Sequence, residues 1–278
     1  MSILADRYAT ALVTGASTGL GRAFSDMLLA EGVRVWGTAR DPARLPARPG
    51  FTPLALELAD AATIDRAFQA ATAAAGRLDL VINNAGYGLF GAFAEQAFAD
   101  WQRQVDAMLG QTMHLAQLAL RGMRERNRGA LVNVSSLAVD FPLPFMSGYN
   151  ITKAGLSALS ESLMIEVSGT GIIVIDFRPG DYRTGFNQAM HRTSGTRAAA
   201  GSPSGPRLQR VWSSLEAHLR SAPPPERAAG DLRRALIRGR SGTVRSGTFF
   251  QAQLAPWLAR FAPPGLRRAV MARYFGSY

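Results

Sequence analysis

Five short apolar runs punctuate the first two thirds of the chain: ATALVT at 9–14, VRVWGTA at 33–39, LDLVINN at 78–84, GALVNVSS at 129–136 and GIIVIDF at 171–177. Continuous runs of this length, bounded by glycine and polar turns, predict strands covered on both faces. FTPLALEL at 51–58 reads as a further strand. Between the runs lie helical patterns, from Arg22 to about Ala30 with a stop at Gly32, and from Ala61 to Ala75 with a stop at Gly76. Two more follow, one long helix from Asp100 to about Arg126 and one from near Tyr149 to about Val167. Strand and helix thus alternate repeatedly. Parallel neighbours need crossover connections, so the predicted class is α/β, a doubly wound parallel sheet with helices on both faces. Ligands of such sheets bind beyond the carboxyl ends of the strands.

After Gly180 the pattern loosens. Residues 192–210 hold few large apolar groups and read as a loop, with shorter helices near 211–220 and 226–238. The stretch LAPWLARFAPPGLRRAVMARYF at 254–275 is amphipathic and basic. No internal repeat or second domain is visible, so residues 1–278 are read as one unit, with a substrate loop and a basic extension over about 185–278.

Composition narrows the chemistry. The chain has no cysteine and three scattered histidines, which argues against disulfides and a metal site. The N-terminal MSILADRYATALVTG is no signal peptide, and no apolar stretch is long enough to span a bilayer, so a cytoplasmic protein is expected. The net charge of +11 is concentrated at the end: residues 178–278 hold 17 arginines against Asp181, Glu216, Glu226 and Asp231. That region is the candidate for contact with an anionic membrane surface; no aromatic-interleaved basic motif points to a specific nucleic acid. Of 31 basic side chains only Lys153 is a lysine. Lysine is a compact point charge on a flexible stem, so this lone exception marks a position where a guanidinium would not serve.

Thr14-Gly15-Ala16-Ser17-Thr18-Gly19-Leu20-Gly21 joins the first strand to the first helix. Glycine permits the tight turn and a close backbone approach to a pyrophosphate, and the helix N-terminus supplies free N–H groups. Tyr149 and Lys153 stand four apart, on one face of a helix. A nearby ammonium favours phenolate, so a lowered Tyr149 pKa is expected. Ser136 lies 13 positions before Tyr149.

The order and spacing of these motifs resemble the short-chain dehydrogenase/reductase family, with T-G-x-x-x-G-x-G at the glycine turn and the closest likeness over 8–188. The resemblance implies a Rossmann-type fold and hydride transfer between a nicotinamide and a carbonyl or alcohol. It assigns catalysis to Ser136, Tyr149 and Lys153, with Ser135 as the alternative serine if the register slips by one. The implied dinucleotide contacts are Gly15, Ser17, Thr18, Gly19, Leu20 and Gly21 in the turn, and Leu58 against the adenine. Asn84, Ala85 and Gly86 of an N-N-A-G match follow, then Tyr149 and Lys153, and Pro179, Gly180, Tyr182 and Thr184 at the nicotinamide amide. Where NAD enzymes of the family carry an acid after the second strand, this chain has Ala39 and then Arg40. Arginine pairs with a 2′-phosphate, so NADP(H) is favoured over NAD(H), with Asp41 the residue that opposes it. Ala107 stands where the family usually has an asparagine supporting a proton relay. It favours the alternative of a dinucleotide-binding sensor or scaffold with little turnover. Apolar side chains flanking the nicotinamide end (Tyr87, Leu89, Phe90, Phe93, Leu137, Phe141, Leu143, Phe145, Met146, Tyr182, Phe186 and Met190) predict an apolar small-molecule ketone, aldehyde or secondary alcohol. The resemblance also implies a homodimer or homotetramer through helices at about 100–126 and 152–168.

Overall fold

The computed structural model describes residues 2–186, 190–192 and 204–276. Seven strands form one parallel sheet: β1 (Thr10–Val13), β2 (Arg34–Ala39), β3 (Phe51–Ala55), β4 (Leu80–Asn83), β6 (Gly129–Val134), β7 (Ile172–Pro179) and β9 (Gly242–Ser246). Their order is β3-β2-β1-β4-β6-β7-β9, so the strand order reverses between β1 and β4. The expected doubly wound sheet is therefore present. A separate small pair joins β5 (Leu89–Phe90) to β8 (His191–Arg192). Residues 193–203, the centre of the predicted loop at 192–210, lie outside the described residues.

Period-two alternation distributes the strand side chains between two apolar layers. On β1, Ala11 and Val13 enter one layer and Leu12 the other; on β4, Leu80 and Ile82 oppose Val81; on β7, Ile175 and Phe177 oppose Ile172 and Val174. The first layer is closed by helices α2 (Gly19–Ala30) and α8 (Pro225–Arg238), and Phe24 of α2 meets Phe177 edge-on at 5.6 Å. The second is closed by α3 (Ala61–Ala75), α5 (Gln111–Glu125) and α6 (Ser147–Glu166). Capping sets the limits of α3: the Asp60 carboxylate accepts from Ala62 N at 2.9 Å, and Gly76 ends the helix at φ 78°.

Several expectations are corrected. A short helix α1 (Ile3–Arg7) precedes β1. The long helix begins at Phe98, as α4 (Phe98–Val105), and passes through a π turn at Asp106–Gly110 before α5. Helix α7 (Gly205–Ser221) starts within the stretch read as loop, because Leu208, Val211, Trp212 and Leu215 recur at helical spacing and are buried. The apolar pattern does not predict β9: GTVRS has little apolar content and is specified by pairing with β7 at the sheet edge. The basic extension forms α9 (Ala255–Phe261) and α10 (Pro264–Tyr274). No helix among the described residues is long and apolar enough to cross a membrane.

Candidate active site

The glycine turn sits at the carboxyl end of β1. Gly15 and Gly19 have φ of 68° and 57°, where a side chain is strained. A Cβ on Gly21 would lie 2.2 Å from the Gly15 carbonyl oxygen, so only glycine lets α2 press against the turn. The turn is held from two sides. Thr14 Oγ1 accepts from the backbone N–H of Asn84 at 2.9 Å and of Ala85 at 3.0 Å, while Asn84 Nδ2 donates to the Thr14 carbonyl at 2.9 Å. Thr38 Oγ1 accepts from Gly15 N at 3.3 Å. Thr18 at the start of α2 makes no side-chain cap, which leaves the helix N–H groups facing the cleft.

This cradle opens into a cavity of about 1330 Å³ along the carboxyl ends of the strands. Every residue the sequence assigned to the site lines it except Gly21, whose part is close packing. At one end stand Ala39, Arg40, Arg44 and Leu58. Asp41 is occupied locally: its Oδ1 accepts from Ala43 N at 3.0 Å, capping a single 3₁₀ turn over Pro42–Arg44. That turn brings Arg44, which the sequence reading missed, to the same cavity end as Arg40. Neither arginine has an acidic partner among the described residues.

At the other end lie Ser136, Tyr149 and Lys153, all buried. The two adjacent serines divide sharply. Ser135 donates to the buried Asp176 carboxylate, which also receives Ser157 Oγ and Arg178 Nε at 2.7 Å each. Ser136 accepts from Ala138 N at 3.0 Å, and its hydroxyl stands beside the Tyr149 phenol. Lys153 Nζ donates to the Val134 carbonyl at 2.7 Å and lies 5.7 Å from the Tyr149 ring centroid.

The expected depression of the Tyr149 pKa is absent. Burial pushes the phenol up to about 12, the Ser136 hydroxyl beside it pulls the other way, and the Asp181 carboxylate adds to the rise. Lys153 is itself driven down to about 8 by burial, with Asp176 opposing. An ammonium stripped of its solvent and turned onto a backbone carbonyl has little left to give the phenol.

Around Tyr149 the cavity is apolar. Leu137, Phe141, Leu143, Met146, Phe186 and Met190 line it as expected, with Tyr87 and Leu89. Phe90, Phe93 and Phe145 do not: Phe90 packs among Phe145 and Trp212, and Phe93 is exposed and stacked on Trp101. The Tyr182 hydroxyl turns away into the core, 2.5 Å from Ser246 Oγ, so that residue borders the cavity without presenting its polar end. The sequence reading missed the far wall, which α7, α9 and α10 supply through Leu215, Ala255, Leu266, Val270 and Met271.

Residues 9–195 match the family described as short chain dehydrogenase. The chain belongs to that family. A short-chain dehydrogenase from Streptomyces avermitilis is similar over nearly the whole fold, with a TM-score of 0.78, 28% identity and coverage of 95% of this chain and 93% of that one. A 3-ketodihydrosphingosine reductase of Bacteroides thetaiotaomicron is 30% identical over 175 residues, 63% of this chain and 64% of that protein. A probable NADP-dependent dehydrogenase of Haemophilus influenzae is 33% identical over 177 residues, 62% of this chain and 70% of that protein. The matched part spans less than two thirds of the first two curated relatives, 62% and 64% of their lengths. The family is one of NAD(P)-dependent dehydrogenases and reductases.

Within this short chain dehydrogenase, two features depart from what the motifs foretold. The buried Ala107 falls inside the π turn at Asp106–Gly110, so the helix is irregular at this place without an asparagine to shape it. The apolar wall also carries a polar cluster. Gln251 Nε2 donates to Asp181 Oδ2 at 2.7 Å and lies 3.4 Å from the Tyr274 hydroxyl. Burial pushes the Asp181 carboxyl up, while the amide of Gln251 and the charge of His218 pull it down. Only the fold reveals this cluster, since 70 residues separate Asp181 from Gln251.

Proposed function

We propose that the chain is an NADP(H)-dependent oxidoreductase that interconverts an apolar ketone or aldehyde and the corresponding alcohol. The observation that carries the reading is the convergence of Ser136, Tyr149 and Lys153 on an apolar cavity continuous with the glycine cradle. The cradle suits a dinucleotide: free helix N–H groups and a partial positive charge for the pyrophosphate, and Leu58 for the adenine. Arg40, joined by Arg44, is available to pair with a 2′-phosphate, and Asp41 is spent on its own turn. The bound dinucleotide supplies the hydride.

The protein's own part is the proton and the oxygen. In reduction, Tyr149 donates its proton to the substrate oxygen; in oxidation it takes the proton back. A phenol pushed up to about 12 is held protonated at neutral pH, the form that reduction requires. Ser136 accepts from Ala138 N, which leaves its hydroxyl hydrogen for the charge that develops on that oxygen. Lys153 keeps donor capacity beyond its bond to Val134, available to a ribose hydroxyl. The chain is read as a homodimer or homotetramer through α4–α5 and α6, where Met113, Ile151 and Ile165 expose apolar surface.

The test is steady-state oxidation of NADPH and NADH with a panel of apolar ketones, beside Tyr149→Phe. Turnover with NADPH that Tyr149→Phe lowers by about 10³-fold, with cofactor affinity kept, supports the proposal. Tight NADPH binding with no turnover across the panel would favour the sensor reading instead.

A further inference from the structure

No acidic residue follows Asp231, while nine arginines do. Seven of them fall into two groups. On the body of the fold, Arg233 pairs with Glu31 at 2.6 Å, Arg234 pairs with Asp231, and Arg245 pairs with Asp140 at 3.1 Å. On α9 and α10, Arg260, Arg267, Arg268 and Arg273 have no acidic partner among the described residues. The same two helices and the turn before them expose large apolar groups, with Trp257 59% and Phe261 63% accessible, beside Phe249 and Leu254. Leu266 and Val270 are both exposed and part of the cavity lining, so the apolar cavity opens at this patch.

We propose that α9 and α10 dock on an anionic lipid bilayer, with the cavity mouth facing the lipid. An aromatic and aliphatic surface studded with arginines that lack acidic partners matches acyl chains beneath anionic headgroups. A second copy of this chain is a poor occupant: a two-fold contact through this face would set arginines against arginines. Helices of 7 and 11 residues, about 10 and 16 Å long, cannot cross a core of about 30 Å, so they lie on the surface. The docking stands on this surface alone; delivery of an apolar substrate through the mouth rests on the proposed function.

The test is flotation of the full chain with vesicles of phosphatidylcholine, with and without about 30 mol% phosphatidylglycerol as the anionic probe. Binding is expected only with the anionic lipid, and it should fall in about 0.5 M salt, where the Debye length is only a few ångströms. Arg260→Gln with Arg268→Gln should weaken it roughly thirtyfold. Trp257→Ser with Phe261→Ser should abolish it without shifting the melting temperature. Trp36, Trp101 and Trp212 are buried, so quenching by brominated lipid reads Trp257, and Trp257→Phe should remove it. Equal binding to neutral vesicles, no binding at all, or an oligomer that Trp257→Ser and Phe261→Ser dissolve would each overturn the proposal. Ketone turnover plays no part in these readouts, so failure of the proposed activity remains distinguishable.

Discussion

Ser135 and Ser136 are adjacent in sequence, and their surroundings predict different consequences when each is replaced by alanine. Ser135 supplies the hydrogen bond to Asp176 Oδ1, whereas Ser157 and Arg178 both serve Oδ2. Asp176 is fully buried. Ser135→Ala therefore strands one oxygen of a buried carboxylate, at a cost of about 3 kcal/mol. For a chain of this size that lowers Tm by on the order of 8 °C. The Ser135 hydroxyl is engaged away from Tyr149, so kcat should change by less than about threefold, within the scatter of a merely structural change. Ser136→Ala removes the cap on Ala138 N, worth about 1 kcal/mol, and so lowers Tm by on the order of 3 °C. Its larger effect is on kcat, which should fall about 10²–10³-fold through loss of a donor to the developing oxygen charge. Thermal melts by circular dichroism and NADPH-coupled kinetics on both variants decide the matter. A kcat that collapses in Ser135→Ala and survives in Ser136→Ala would refute the assignment.

Other outcomes follow from the same geometry. Arg40→Ala should weaken NADPH binding about 10–100-fold and leave NADH binding nearly unchanged, as titration of nucleotide fluorescence would show; equal losses for both would contradict the 2′-phosphate reading. Gly21→Ala forces a Cβ against the Gly15 carbonyl oxygen, so dinucleotide affinity and Tm should fall together, by about 1–3 kcal/mol in stability. Lys153 is pushed from 10.5 down to about 8. Between those values the unfolded chain holds the proton and the folded chain does not, so its contribution makes stability rise with pH across that window. Lys153→Met should therefore be more stable than the parent by about 2 kcal/mol near pH 7, the relief from burying a charge less about 1 kcal/mol for the lost hydrogen bond to the Val134 carbonyl, with the gap closing towards pH 10.5 in thermal melts.

Much of the site is legible in the sequence because its chemistry is local. Glycines at 15, 19 and 21, the N-N-A-G segment and the Tyr149–Lys153 pair each carry their meaning in short-range spacing. Apolar runs bounded by turns likewise determined the strands, and their alternation with helices determined a parallel sheet. A parallel sheet puts every strand's carboxyl end on one edge, which is why segments far apart in sequence meet in one cavity. Tertiary structure alone decided what depends on distant partners. β9 exists through pairing with β7, Ser135 is bound by Asp176 41 positions away, and Tyr182 turns to Ser246 across 64. The proton affinity of Tyr149 is set by burial, which no four-residue spacing reports. Spacing along a helix or strand specifies which side chains share a face; the dielectric around them and the partners across from them come only with the packed chain.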